Sequence, residues 1–459
     1  MDKGRIELLE NTPVKRAIIK LALPTMLAMA VQMIYNLTDT YFIGQTGDLN
    51  LVAAVSLASP IIMLFQAAGN IFASGTSCYI SQNLGAREYK EAKRANSVAF
   101  YSSVGIGILF TLFFLLFRDS ILNVIGTSAA TKEPTSQYLV IMTGLCIFPI
   151  LNVTMAGLVR SEGATDKAMF GMIIGIIINI ILDPIFILAL DMGTAGAAWA
   201  TIIGNFAGTI YFIRHFLNKN TMLSIAIKDF KPSKRIYGET FKIGIPAALS
   251  SIVMSISFVL VNVIAATYGD YVVAGNGIEM RVNSMAVMLI IGLAQGYQPF
   301  AGYCYGARKF DRLKSGFITT IVYGTIVSLF FTAVFIIFGD GLIRMFIDDD
   351  LTVQAGAQIL RAFTWCVPFF GIQFTVMVTF QATGKAIKAM LISLGRQCII
   401  YLPLLFILNS LFGFEGFIFA QPIADILTTF VAFILSLSFM KEMNSRHERE
   451  LATASSPAN

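Results

Sequence analysis

Charge is the scarcest property of this chain: Asp, Glu, Lys and Arg together make up 13% of its 459 residues, against 56% hydrophobic residues and a mean hydropathy of +0.73. Soluble domains carry roughly a quarter charged residues, so this composition excludes a water-solvated fold and places most of the chain in lipid. Cysteine is sparse as well. Cys78, Cys146, Cys304, Cys366 and Cys398 are odd in number, lie in or beside apolar stretches and show no CxxC spacing, which argues against both disulfides and zinc. The two histidines, His215 and His447, fall in polar connecting segments, so no histidine proton relay crosses the membrane. No GxxxxGK[ST], HExxH or Ser/His/Asp constellation is present, nor any soluble catalytic domain; the chain reads as no enzyme, needs no cofactor, and must draw on an ion gradient or on its substrate's own gradient. The opening MDKGRIELLENTPVKR is too charged for a secretory signal and has no small-residue cleavage site, so the first span is expected to be retained.

What the chain has in abundance is long apolar runs. Twelve windows of about 20 residues, the length that crosses about 30 Å of hydrocarbon, fall between residues 17 and 440. With a cytoplasmic N-terminus, 27 of the 33 Lys and Arg lie in the even-numbered connections and the tails. The positive-inside rule therefore puts both termini in the cytoplasm and requires an even number of spans. The basic loops read as topology signals and lipid-headgroup contacts, not as a nucleic-acid surface.

The chain also repeats itself. IKLALP at 19–24, Gly47-Asp48 and Leu84-Gly85-Ala86-Arg87 return as FKIGIP at 241–246, Gly269-Asp270 and Tyr305-Gly306-Ala307-Arg308, offset by 222 residues at the prolines and 221 at the Gly-Ala-Arg turns. The register continues through Asp119 with Asp340 and Gly163 with Gly384. The expected fold is an all-α integral membrane protein, with twelve transmembrane helices in two pseudo-symmetric six-helix lobes. Residues 1–218 form the N-terminal lobe, 219–239 a cytoplasmic linker, 240–445 the C-terminal lobe and 446–459 a polar tail.

An ionised side chain at the centre of a membrane helix costs at least about 2.5 kcal/mol, so each one kept there is solvated, paired or used. Asp39 in the first span and Asp183 in the fifth lie roughly 8 to 12 Å below the outer ends of their helices, at 1.5 Å per residue, and Thr201 in the sixth lies roughly 10 Å down. Asn179 precedes Asp183 by one helical turn on the same face. Pro184 lacks an N–H, which leaves the Ile180 carbonyl available as a further ligand. These groups could take a proton or hold a small hard cation such as Na+; two carboxylates in contact would titrate as a coupled unit. The alternative is that each Asp hydrogen-bonds within the bundle or reaches the headgroups. The repeat register sets Val261 opposite Asp39 and Leu402 or Pro403 opposite Asp183, so the fold itself does not need the acids.

The second half carries different charges. Arg396 and Asp425, near mid-membrane in the last two spans, form a candidate ion pair. Glu279 and Arg281 point to different faces of the eighth span, and Glu279 is a candidate substrate contact, with pairing or water exposure as the alternative. Pro24, matched by Pro246, is either a hinge or a static kink.

NLTDTYFIG around Asp39, the Leu84-Gly85-Ala86-Arg87 turn, NIILDPIFI around Asp183, Gly196-Ala197-Ala198, Gly395-Arg396-Gln397 and Pro422-Ile423-Ala424-Asp425 are each loose alone. In this order, and with the duplication, they resemble the multidrug and toxic compound extrusion (MATE) family from about Pro13 to Met440. The resemblance implies a V-shaped pair of six-helix lobes in a bacterial plasma membrane, exporting hydrophobic, often cationic compounds in exchange for H+ or Na+. The chain is similar to the DinF-like branch, whose N-lobe acidic site matches Asp39, Asn179, Asp183 and Thr201. The NorM-like branch places acids in its seventh and tenth spans, and those spans hold none here. Pro24 matches the bending first helix of the family. A monomer is expected, with the lipid bilayer and small molecules as its partners. A lipid-linked precursor flippase of the same superfamily is the alternative reading.

Overall fold

In a computed structural model the described residues are 3–45, 49–125, 127–128, 130–218 and 221–455, without the side chains of residues 3, 36, 37, 39–41, 43–45, 49 and 449–455. A short α1 (Lys3–Glu10) leads into α2 (Val14–Gln45), α3 (Leu49–Gly85) and α4 (Tyr89–Ile125). The bent pair α5 (Lys132–Gly144) and α6 (Ile147–Ser161) follows, then α7 (Thr165–Asp183) and α8 (Gly193–Leu217). The second half repeats this order as α9 (Lys234–Ala266), α10 (Asp270–Gly306), α11 (Phe310–Arg344), the bent pair α12 (Asp350–Thr364) and α13 (Phe370–Ala382), α14 (Ala386–Leu394) with α15 (Tyr401–Phe412), and α16 (Phe414–Ser455). Among the described residues ten spans are long and apolar enough to cross a membrane outright, and the bent pairs, at 51° and 41°, bring the number to twelve when each is taken as one span. The chain is an all-α multi-pass membrane protein. Its apolar flanks stay uncovered, as lipid allows: Leu116 of α4 is 78% exposed and Ile337 of α11 69%.

The repeat is visible in backbone detail. Arg87 and Arg308 both sit in the left-handed region, at φ 62° and 57°, and close the same Schellman turn: Glu88 N–H donates to Asn83 O at 2.8 Å, and Lys309 N–H to Cys304 O at 2.9 Å. Gly163 and Gly384 match at φ 81° and 76°. Each bent pair breaks beside a proline, Pro149 near the start of α6 and Pro368 between α12 and α13, where a missing N–H ends the helical ladder.

Two compact units emerge, and their borders lie inside helices. One contains Met1–Glu7 and Leu27–Ala248, the other Leu8–Met26 and Leu249–Asn459. The border at Glu7 lies in α1, and each of the other two follows a proline by two residues, Pro24 in α2 and Pro246 in α9. These borders differ from the lobes 1–218 and 240–445 because small residues let each crossing helix seat closely. In the first unit, a Cβ on Gly75 of α3 would lie 2.0 Å from the Thr240 carbonyl oxygen, and one on Gly244 of α9 would lie 2.2 Å from that of Ile71. In the second, a Cβ on Gly296 of α10 would lie 2.4 Å from Ala22 Cα, while Thr25 Oγ1 donates to Gly292 O at 2.7 Å. The same crossing is thus built twice, with backbones touching as small residues permit in lipid.

The expected linker is shorter than 219–239. Ser233 caps α9, accepting from Ile236 N–H at 3.2 Å, so the helix begins at Lys234. The coil before it is tied to the first unit: Thr221 Oγ1 and Met222 N–H each donate to Glu162 at 2.9 Å, and this buried carboxylate also receives Arg5 at 2.6 Å and His215 at 2.7 Å. Asn96, Ser97 and Tyr101 of α4 donate to the carbonyls of Ser224, Ala226 and Ile225. Within the expected polar tail, 446–459, α16 continues as helix to Ser455.

Candidate functional site

The first unit's polar site is assembled by two glycines. A Cβ on Gly175 of α7 would stand 2.8 Å from the Gly204 carbonyl oxygen, and one on Gly204 of α8 would stand 2.5 Å from that of Gly175. No larger residue fits, so the helices meet backbone to backbone. One turn along α7, this approach sets Asn179 against Thr201. Asn179 is 3% exposed and Asp183 fully buried. With its amide turned to satisfy both neighbours, Asn179 Nδ2 donates to Asp183 Oδ2 at 2.9 Å and its Oδ1 accepts from Thr201 N–H at 3.0 Å. The opposite orientation leaves longer contacts, 3.5 Å to Asp183 Oδ1 and 3.3 Å to Thr201 Oγ1.

Directly after Asp183, α7 widens into a π turn over Pro184–Ala189, a form concentrated at functional sites. Leu190 N–H closes it on Ile185 O at 2.9 Å, and Gly196 lets α8 approach: a Cβ there would lie 2.8 Å from the Phe186 carbonyl. Asp183, Asn179 and Thr201 are therefore brought together. Asp39 cannot be placed with them, because its side chain lies outside the described residues. The three described groups offer only oxygen donors to a cation, the hard set that suits a proton or Na+.

The polar chain runs further than sequence reading reached. Asn205 Nδ2 donates to Thr201 O at 2.8 Å, and Asn152 Nδ2 of α6 donates to Asn205 O at 3.2 Å. The one signal available was the spacing of Thr201 and Asn205, four apart on one face of α8.

In the second unit, Arg396 lies in a π turn of its own, Gly395–Ile399, and its Nε donates to Asp425 Oδ1 at 2.7 Å. Gln421 Nε2 donates to Oδ2 of the same carboxylate at 3.2 Å, and Cys366 Sγ lies 3.8 Å from it. The guanidinium also covers the rings of Phe370 and Phe374, at 4.7 and 5.1 Å from their centroids. Glu279 is 3% exposed, while Arg281 is exposed on another face. Val261, opposite Asp39 in the repeat register, packs in an apolar cluster with Ala265, Leu405 and Phe417. Pro24 stays within an unbroken α2, two residues before the border between units.

A protein-family model, MatE, matches the chain twice, over residues 24–185 and 246–407, beginning each time at one of the paired prolines. The multidrug export protein MepA of Staphylococcus aureus (strain NCTC 8325 / PS 47) is 34% identical over 427 residues, covering 93% of this chain and 94% of that protein. MepA of Staphylococcus haemolyticus (strain JCSC1435) is 33% identical over 434 residues, covering 95% and 96%. Among solved structures, the outward-facing conformation of a multidrug resistance MATE family transporter of the MOP superfamily aligns at a TM-score of 0.92 and 25% identity, over 97% of this chain and 100% of that one.

Proposed function

Since the chain belongs to the MatE family, we propose that it is a transporter, not an enzyme, and works as a secondary active antiporter. It exports small hydrophobic, often cationic compounds in exchange for H+ or Na+. The buried contact of Asp183 with Asn179, beside Thr201 and a π turn, is the observation that carries this reading. A carboxylate that accepts from the Asn179 amide and is shielded from water attracts positive charge strongly. When a proton arrives, the Asn179 amide can turn over and accept from the acid at the same 2.9 Å that it previously bridged as donor. Charge at this position thus alternates with the Asn179–Asp183 hydrogen bond kept, while the bond from Thr201 N–H is given up. Asp39 shares the site by its depth in the sequence, and the Pro24 region of α2 gives the first unit's border a place to bend.

The distribution of Lys and Arg supports two cytoplasmic termini in a bacterial plasma membrane. One chain carries both units and acts as a monomer, with no nucleic-acid partner. Purified protein in proteoliposomes, loaded with a fluorescent cationic dye and given pH or sodium gradients separately, tests the reading. Asp183→Asn should abolish gradient-driven dye movement while leaving the amount of inserted protein unchanged. Undiminished gradient-coupled export by that variant would overturn the assignment.

A further inference from the structure

From Asp183 the polar chain of the first unit runs along one face of α8 toward the end that the Lys and Arg distribution makes cytoplasmic. Thr201, Asn205, Gly208, Phe212 and His215 follow one another at steps of four and three residues, so they share that face over about 21 Å. The outer part of this column is polar without a break: Asn179 joins Asp183 to Thr201, Asn205 donates to Thr201 O, and Asn152 of α6 donates to Asn205 O. Its inner end is polar as well. There His215 lies 2.7 Å from the buried Glu162 carboxylate, which Arg5, Thr221 and Met222 also engage.

Between the two ends stands a large apolar side chain. Phe212 is fully buried, and its ring takes the space beside Gly171 of α7, where a Cβ would lie only 2.3 Å from it. One turn back along α8, the Asn152 amide takes the space beside Gly208: a Cβ there would lie 2.3 Å from Asn152 Nδ2 and 2.9 Å from the Gly171 carbonyl oxygen. Helices α6, α7 and α8 thus converge at this level, with the last amide of the outer chain and the ring packed one after the other. A core phenylalanine needs no further role, but this one separates two polar clusters that the same helix face would otherwise join.

We infer that Phe212 is an ion seal inside the first unit: its ring, held in the notch of Gly171, keeps a proton or Na+ at Asp183 from passing through the unit to Glu162 and His215. An ion that moves past an apolar ring gives up its hydration, the physical basis of hydrophobic constrictions in channels. Exchange of an ion for a substrate requires such a barrier, because a wet path from Asp183 straight to the cytoplasm would dissipate the gradient without export. Without the ring, the amides of Asn152 and Asn205 on one side and the Glu162 cluster on the other would offer water the polar partners it needs, and the space would fill.

The inference rests on the reading of Asp183 as the ion site, but its test measures leak instead of export. Full-length protein in drug-free proteoliposomes with a pH indicator inside is given a potassium diffusion potential, and proton entry is followed; entry of radioactive sodium is followed in a parallel set. Wild-type protein should be nearly tight. Phe212→Ala should raise the entry of one of the two ions roughly tenfold. Gly171→Ala, which drives the ring from its notch with Phe212 unchanged, should leak as well and covers the case of a Phe212→Ala protein that does not fold. Adding Asp183→Asn to the leaking variant should return the flux to the wild-type level, which a merely loosened fold would not do. Wild-type tightness to both ions in whichever variant folds, or a leak undiminished by Asp183→Asn, would overturn the seal. Dye export lost in Asp183→Asn with no leak in either seal variant leaves the export reading standing alone. A leak that Asp183→Asn closes, with dye export by Asp183→Asn intact, leaves the seal standing alone.

Discussion

Arg396 shows how a single residue can be both costly and required. Its guanidinium is spent on one carboxylate and two aromatic rings inside an apolar unit. Breaking such a pair from one side leaves an uncompensated charge, so Arg396→Met should cost about 3 to 5 kcal/mol. Removing both charges in Arg396→Met/Asp425→Leu should recover most of that loss. Thermal unfolding in detergent, with the double variant melting above the single one, checks it. This pair could be read from the sequence because its members lie at one depth on neighbouring spans, and Asp183 with Asn179 because the two are one helical turn apart. Asn205 and Asn152 could not. An amide in an apolar helix stands out only once the facing helix is known, and that depends on Gly175 meeting Gly204.

At the scale of elements, the repeat carried its turns legibly: the arginines in left-handed conformation and the paired glycines return in register because identical chain reversals need them. The π turns do not follow the repeat. One begins at Pro184, near the end of its span, and the other at Gly395, early in its own. Each flanks the polar cluster peculiar to its half, which is why periodicity could not reveal them. Helix caps are more predictable. Asp349 accepts from Thr352 N–H at 2.9 Å and from the Thr352 hydroxyl at 2.6 Å, and these bonds hold its carboxyl below the usual carboxylate range. A depressed folded-state value means that the cap's contribution is present above about pH 4, the unfolded carboxylate range, and is lost as pH falls through the lower folded value. Protection of the first-turn amides of α12 against exchange, relative to the intrinsic rate at each pH, should therefore fall in acid, and Asp349→Ala should show the low protection already at neutral pH.

For the whole molecule, composition alone placed the chain in lipid, and the duplicated motifs supplied the two-fold plan. Which unit receives the first half of α2 and of α9 was not legible. Pro24 and Pro246 stand two residues before unit borders, but the partner surface is set by Gly292 and Gly296 on one side and Gly75 on the other, residues whose role exists only in contact. Orientation is a property of the same scale. Single cysteines placed at Arg5 and Ser445 in a cysteine-less background should both resist a membrane-impermeant thiol reagent in intact cells and both react once the cells are opened. Labelling of either from outside would reverse the assignment of the termini.

The exchange of helix segments between units also orders assembly in time. Once the first six spans have emerged from the ribosome, the first unit still lacks Lys234–Ala248, whose Thr240 carbonyl covers Gly75. The early-made body must wait, its surface at Ile71 and Gly75 bare, until the next span is threaded in, while Leu8–Met26 waits longer still for Gly292 and Gly296. The first half cannot mature before the second is under way, and the second is built on a segment made at the outset, so biogenesis becomes a single event although the gene reads like two.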